Sequence, residues 1–324
     1  MSSRARVFSV VALAAVAASG VVVIGVLATR NNVPSVEPRR GSPPLALDLG
    51  LRTDPEARAL LQAGTLYNRG GKDNRDRAEA IFSRYRSVEA EVGATLAAWP
   101  SGTVAHLQTL AAEHPQSSLV ALHLGLALYW SRRSQEAETA WRAAEKLQPD
   151  SLYAVRASDL LHPRFPLPGL PTFVPSFAPP PRVRVLTPAR QVAALEQGAR
   201  SGGAHAKILY GVALQRLDRP RSAERQFAAA AGAAPNDPEA RAAAAVGLFD
   251  KDNPSLAFSR LGPLVRVFPH AQTVRFHLGL MLLWIADLDR ARNELRQARA
   301  EGPQTPLGRV AFRYLQVLQQ AGTR

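Results

Sequence analysis

The sequence predicts an all-α protein made of stacked antiparallel helix pairs, with one apolar helix ahead of them. The first observation behind this is a thirty-four-residue period. Gly211 is followed by Ala223, Phe227, Ala230 and Pro235, and Gly279 by Ala291, Leu295, Ala298 and Pro303. Between them lies a copy with Ala245, Ala257, Leu261, Leu264 and Pro269, and further upstream Gly125 heads Ala137, Trp141, Ala144 and Pro149. The second observation is helix-start chemistry: Asp54-Pro55-Glu56-Ala57-Arg58-Ala59 recurs as Asp237-Pro238-Glu239-Ala240-Arg241-Ala242. Asp caps, Pro suits the first helical position, and Glu complements the positive helix end. The third is an uncharged apolar run from Val7 to Ala28.

Residues 1–30 are expected to form the N-terminal membrane anchor. Twenty-two helical residues reach roughly 33 Å, enough for a hydrocarbon core of about 30 Å. Ala15-Val16-Ala17 has the form of a signal-peptidase site, yet the run continues through Val21-Val22-Val23-Ile24, which favours an uncleaved anchor. Arginines lie on both sides (Arg4 and Arg6 before, Arg30, Arg39 and Arg40 after), so the local charge count is nearly balanced. A short leading tail usually stays in the cytoplasm. The expectation is a single-pass membrane protein with the bulk of the chain extracytoplasmic.

Residues 31–52, with Pro34, Pro38, Pro43 and Pro44, read as a Pro-rich tether. Residues 53–161 read as an N-terminal helical block. Within it Ala78, Ile81, Phe82 and Tyr85 recur on one helical side over 74–99, and the regular copy starts at Ser118. Residues 162–188 carry nine prolines, so no helix or central strand persists there. The economical reading makes them an insertion splitting one repeat, with Leu152–Leu161 as its first helix and a second resuming at Pro188; the rival is a linker between two arrays. The apolar residues Phe165, Leu167, Leu170, Phe173, Val174 and Phe177 suit docking on a helical face better than free flexing. Residues 189–324 form the C-terminal block. Its copies start at Ala204, Pro238 and Gln272, and a helix from Pro306 to about Ala321 seals its end.

The spacing has a steric meaning. Small residues at the eighth and twentieth positions let two helix backbones approach, where a larger side chain would overpack the crossing by about 1–3 kcal/mol. The bulky twenty-fourth residue (Trp141, Phe227, Leu261, Leu295) fills the adjoining space, and proline at the thirty-second stops the second helix. One hairpin cannot bury its apolar face alone, so neighbours must stack. This pattern resembles the tetratricopeptide repeat (TPR). The resemblance implies a TPR-type α-solenoid, a right-handed superhelix whose first helices line a concave groove.

It also implies a protein-interaction scaffold rather than an enzyme, with a protein or peptide partner. The family's groove positions fall here on Leu119, Leu122, Leu126, Tyr129, Ile208, Val212, Val246, Phe249, Phe276, Leu280 and Leu283. Polar residues share those positions at His205, Gln215, Glu239 and Thr273. The mostly apolar lining suits an extended apolar peptide or amphipathic helix, or else packs on the chain's own Phe165, Phe173 and Phe177. The Lys, Asn and Arg set with which chaperone cofactors clamp a terminal carboxylate is missing. Anchored repeat proteins of this kind include bacterial envelope-assembly factors.

Absence of cysteine excludes disulfides, thiolate metal sites and a cysteine nucleophile. No phosphate loop, His-Glu metal motif or nucleophile elbow occurs, so no catalysis, cofactor or metal is expected. His123-Leu124-Gly125-Leu126 returns as His277-Leu278-Gly279-Leu280; with no second ligand three or four residues away, repeat ancestry explains the pair better than metal. Of forty basic residues, all but Lys72, Lys146, Lys207 and Lys251 are arginine, spread along the chain as a GC-rich genome would spread them. Nucleic acid is therefore not an expected partner. Lys207, Arg241 and Arg275 share one repeat position and could stack into a basic line. The alternative function is thus binding of an anionic polymer or lipid surface by the Arg-rich exterior.

Overall fold

The computed structural model describes residues 41–322. The expected anchor, Val7–Ala28, lies outside them; among the described residues no helix is long and apolar enough to cross a membrane. Seventeen helices and no strand are described. The chain divides into two compact units between Pro163 and Arg164.

The first unit runs α1 (Pro55–Arg69), α2 (Lys72–Phe82), α3 (Val88–Ala97), α4 (Thr103–Glu113), α5 (Ser118–Trp130), α6 (Ser134–Leu147) and α7 (Leu152–Leu161). The helix start read at Asp54 is present: its carboxylate accepts from Ala57 N at 2.9 Å and Pro55 opens the helix. The periodicity over 74–99 belongs to two helices, not one. Ser87 caps α3 by accepting from Ala90 N, and the chain turns between Ser83 and Ser87.

The second unit runs α8 (Pro181–Arg184), α9 (Pro188–Ser201), α10 (Ala204–Arg216), α11 (Pro220–Ala233), α12 (Pro238–Gly247), α13 (Pro254–Leu261), α14 (Leu264–Val267), α15 (Gln272–Trp284), α16 (Leu288–Glu301) and α17 (Pro306–Gly322). The starts at 204, 238, 272 and 306 keep the predicted period. One second helix is broken: Gly262-Pro263 interrupts it between α13 and α14, because proline lacks the N–H and crowds the preceding turn. Leu152–Leu161 belongs to the first unit and Pro188–Ser201 to the second.

The hairpins close as the spacing requires. A Cβ on Gly125 would stand 2.4 Å from the Trp141 ring, and one on Gly211 would stand 2.4 Å from Phe227. Glycine is what allows the bulky twenty-fourth residue to lie across the crossing. Ala137, Ala223, Ala257 and Ala291 are buried on the facing helices. Three hairpin turns put a non-glycine residue in the left-handed region at one repeat position: Arg132 (φ 64), Asp218 (φ 54) and Ala286 (φ 60). In each, the next N–H reaches back to a carbonyl five residues earlier (Arg133 N to Leu128 O at 2.9 Å, for example), closing the helix C-terminus.

Each unit ends on an unpaired first helix. α5, α6 and α7 start at 118, 134 and 152, and α15, α16 and α17 at 272, 288 and 306. The last helix of the second unit buries Leu307, Val310, Ala311, Tyr314 and Leu318, and Thr305 caps it by accepting from Gly308 N at 3.0 Å. That face covers apolar surface an open repeat would leave wet.

Candidate functional site: a peptide track in each unit

In the second unit, the proline-rich chain from Phe165 to Phe177 lies against the first helices of the hairpins, α10, α12 and α15. Prolines keep it extended, so its backbone N–H and C=O groups need partners other than its own. Side chains supply them. Lys251 Nζ donates to Leu167 O at 3.2 Å and Trp284 Nε1 to Gly169 O at 3.2 Å. Farther along, the N–H groups of Phe173, Val174 and Ser176 donate to Gln215 Oε1 (2.9 Å), His277 Nε2 (2.9 Å) and Glu239 Oε1 (2.7 Å). Ser176 Oγ donates to the other Glu239 oxygen at 3.0 Å. Trp284 and Gln215 lie near the C-terminal ends of their helices, Glu239 near the start of its own, so the segment runs against the helix direction.

Apolar contacts fix the register. Leu167 and Phe173 are each 2% exposed and belong to the unit's core. The Phe173 ring stacks on His277 with centroids 4.2 Å apart, and Phe177 stacks on His205 at the same distance. Phe165 lies edge-on to Phe249 and beneath the Lys251 ammonium.

The first unit repeats the device with a different segment. Pro43–Leu49, expected within a free tether, is packed: Leu45 and Leu49 are 5% and 6% exposed. Tyr67 Oη donates to Pro43 O at 2.6 Å. Asn68 grips Leu45 twice, accepting from its N–H at 3.1 Å and donating to its carbonyl at 2.8 Å. Ala46 N donates to His123 Nε2 at 3.0 Å and Asp48 N to Tyr153 Oη at 2.9 Å. A tether with leucine at alternate positions has an apolar edge to bury, which proline count alone conceals.

His123 and His277 therefore do one job at one repeat position. Each ring nitrogen Nδ1 meets the carbonyl four residues back, Leu119 O and Thr273 O, at 2.7 Å. With Nδ1 donating, Nε2 is left as the acceptor for a segment N–H. That arrangement requires the neutral ring, and burial holds both imidazoles down to about 4. Glu239 is pushed the other way: burial raises its carboxyl, against the bonds from Ser176 that favour its charge. Trp130, in the place corresponding to Trp284, keeps a buried indole N–H that has no acceptor among the described residues.

The predicted groove residues fall into two sets, one in the core of each unit. Leu119, Leu122, Leu126, Ile208, Val212, Val246, Phe249, Phe276, Leu280 and Leu283 are all buried, and Tyr129 is half-buried beside Trp141. The basic line does not form a shared feature: Lys207 Nζ donates to Ala199 O and Gly202 O, Arg241 lies over Phe268, and Arg275 pairs with Glu294 at 3.0 Å. Sequence reasoning missed the histidines as binding residues. Their signal was the duplicated His-Leu-Gly-Leu, but what they bind lies 77 and 103 residues away.

The architecture is an array of antiparallel helical hairpins. No protein-family model and no curated protein matches the chain. Among solved structures it is similar to YrrB, described as a TPR protein with an unusual peptide-binding site, at 15% identity and TM-score 0.32, covering 64% of this chain and 97% of that one. The TPR2AB domain of yeast Sti1, solved with a pHSP90 complex, matches at 11% identity and TM-score 0.32, covering 82% and 98%. Human IFIT1 with PPP-AAAA matches at 17% identity and TM-score 0.35, covering 84% of this chain and 65% of that one. Likenesses of this size carry nothing about partners.

Proposed function

We propose that the protein is a membrane-tethered interaction scaffold that holds extended apolar segments of a protein partner on the inner faces of its repeats. The observation behind it is the set of side-chain acceptors aimed at three backbone N–H groups, those of Phe173, Val174 and Ser176. Bonds to backbone select an extended chain of any sequence, while the pockets for Leu167, Phe173 and Phe177 select apolar side chains. The chain's own segments hold these places, and a partner segment exchanges with them. The apolar run Val7–Ala28 supplies the tether, with the repeats extracytoplasmic and envelope protein assembly as the setting.

The test weakens the internal occupant. In the full chain, Val174→Pro removes the N–H that His277 accepts, and Phe173→Ser empties the stacked pocket. A labelled peptide covering residues 164–178 should bind this variant and not the unaltered protein, with helicity retained. A helical variant that ignores the peptide sinks the exchange reading.

A further inference from the structure

Charge is divided unequally between the two units. Residues 34–163 carry fifteen Arg and Lys against fifteen Asp and Glu; residues 164–324 carry twenty-two against eleven. Both halves share the arginine-rich composition, so that bias alone does not produce the difference. The second unit is basic chiefly because acidic residues are sparse.

The excess sits on exposed side chains. Arg182, Arg184, Arg190, Arg260, Arg266, Arg296 and Arg313 are exposed and, among the described residues, none has an acidic partner. Three of them, Arg182, Arg184 and Arg190, fall within nine residues of chain at the corner where α8 turns into α9. Gln191 stiffens it, donating through Nε2 to Arg184 O at 3.2 Å and Leu186 O at 2.9 Å. Val185 stands between them and is 81% exposed, the highest value for any large apolar side chain described. A second place repeats the combination: Val267, 54% exposed, follows Arg266.

We infer that this corner of the second unit docks on an anionic lipid surface. Three exposed arginines without an acidic partner within nine residues of chain suit an anionic surface. Exposed valines beside them decide between a bilayer and a soluble polyanion. At the headgroup boundary an apolar side chain leaves water while arginine keeps its charge at the phosphates; along a polysaccharide or nucleic acid it would stay wet. The corner lies outside the peptide track, so docking leaves the inner face as it is.

The chain has no cysteine, so Val185→Cys creates a unique site for an environment-sensitive nitrobenzoxadiazole dye. The labelled full chain is mixed with phosphatidylcholine vesicles, with vesicles also containing phosphatidylglycerol, or with heparin. Because the dye reports the corner, insertion of the N-terminal run affects both vesicle types alike. A blue shift with phosphatidylglycerol only, reversed by high salt, is expected. Arg182→Gln with Arg184→Gln and Arg190→Gln should reduce the shift, with docking weakened roughly 100-fold. Equal shifts on both vesicle types, no shift on either, or a shift that salt leaves unchanged would overturn the inference. A shift with heparin and none with phosphatidylglycerol would overturn it in favour of a polyanion. The salt arm uses unaltered arginines, so misfolding of the triple variant leaves the test intact.

Discussion

His123 and His277 hold their segments only while neutral, because a protonated ring would point an N–H at the segment's own N–H. Burial lowers both to about 4, well below the unperturbed value. A lowered histidine contributes stability above its unfolded pKa, and the contribution is lost as pH falls through the folded one. For each ring that is at most about 3 kcal/mol, lost between roughly pH 6.5 and 4. Raised Glu239 acts in the opposite sense, so the acid loss should be clearer in the first unit. Denaturant melts across that range should steepen in the native protein and flatten in a His123→Phe, His277→Phe variant; an unchanged profile rejects the role. The groove leucines carry a different expectation. Leu126 and Leu280 are 4% and 2% exposed, so Leu→Ser is a core defect costing at least about 2 kcal/mol, not a silent surface change. Both residues could be placed by the period, but the period alone does not say that they are buried in the core of their unit.

Hairpins were legible because their signals are local: a cap, a small residue at the crossing, a bulky one to fill it, a proline to stop. The segments were less so. Proline marks where a helix cannot run, but it does not distinguish a loose strap from a docked one. Alternating leucines at Leu45, Leu47 and Leu49 and the phenylalanines at 165, 173 and 177 carried that information. For the docked stretch, protease choice matters. Arg164, Arg182 and Arg184 are exposed, so tryptic nicking there says little about docking. Chymotrypsin at Phe173 is the informative probe: the native chain should resist, and the Val174→Pro, Phe173→Ser variant should be cut at neighbouring Phe177. The turns supply another test. Ala286 pays the left-handed penalty that glycine avoids, whereas glycine loosens the unfolded chain. The balance favours Ala286→Gly by about 0.5–1 kcal/mol, measurable as a higher denaturation midpoint with unchanged slope. A lower midpoint would mean the turn gains more from the Ala286 side chain than its backbone loses.

At the scale of the whole chain, the period established a repeat protein, but one array interrupted by an insertion and two arrays joined by a segment give the same helix pattern. Within the units, Leu152–Leu161 packs on α5 and α6 of the first, as α17 packs on α15 and α16 of the second. Each unit has its own core, its own occupied track and its own final helix. Residues 34–163 and 164–324, made separately, should therefore each be helical and melt cooperatively. Their charges then predict different responses to salt. The second half has eleven more basic than acidic residues and is destabilised by self-repulsion, which screening relieves; the first is balanced and has little to relieve. Raising ionic strength from about 0.01 M to 0.15 M shortens the Debye length from roughly 30 Å to 8 Å, about a helix spacing. The melting temperature of the second half should rise by a few degrees over that range while that of the first stays level. Parallel shifts would show that the surplus charge is too dispersed to strain the fold, and a fall in the second half would show that its ion pairs, Arg275–Glu294 foremost, outweigh the repulsion.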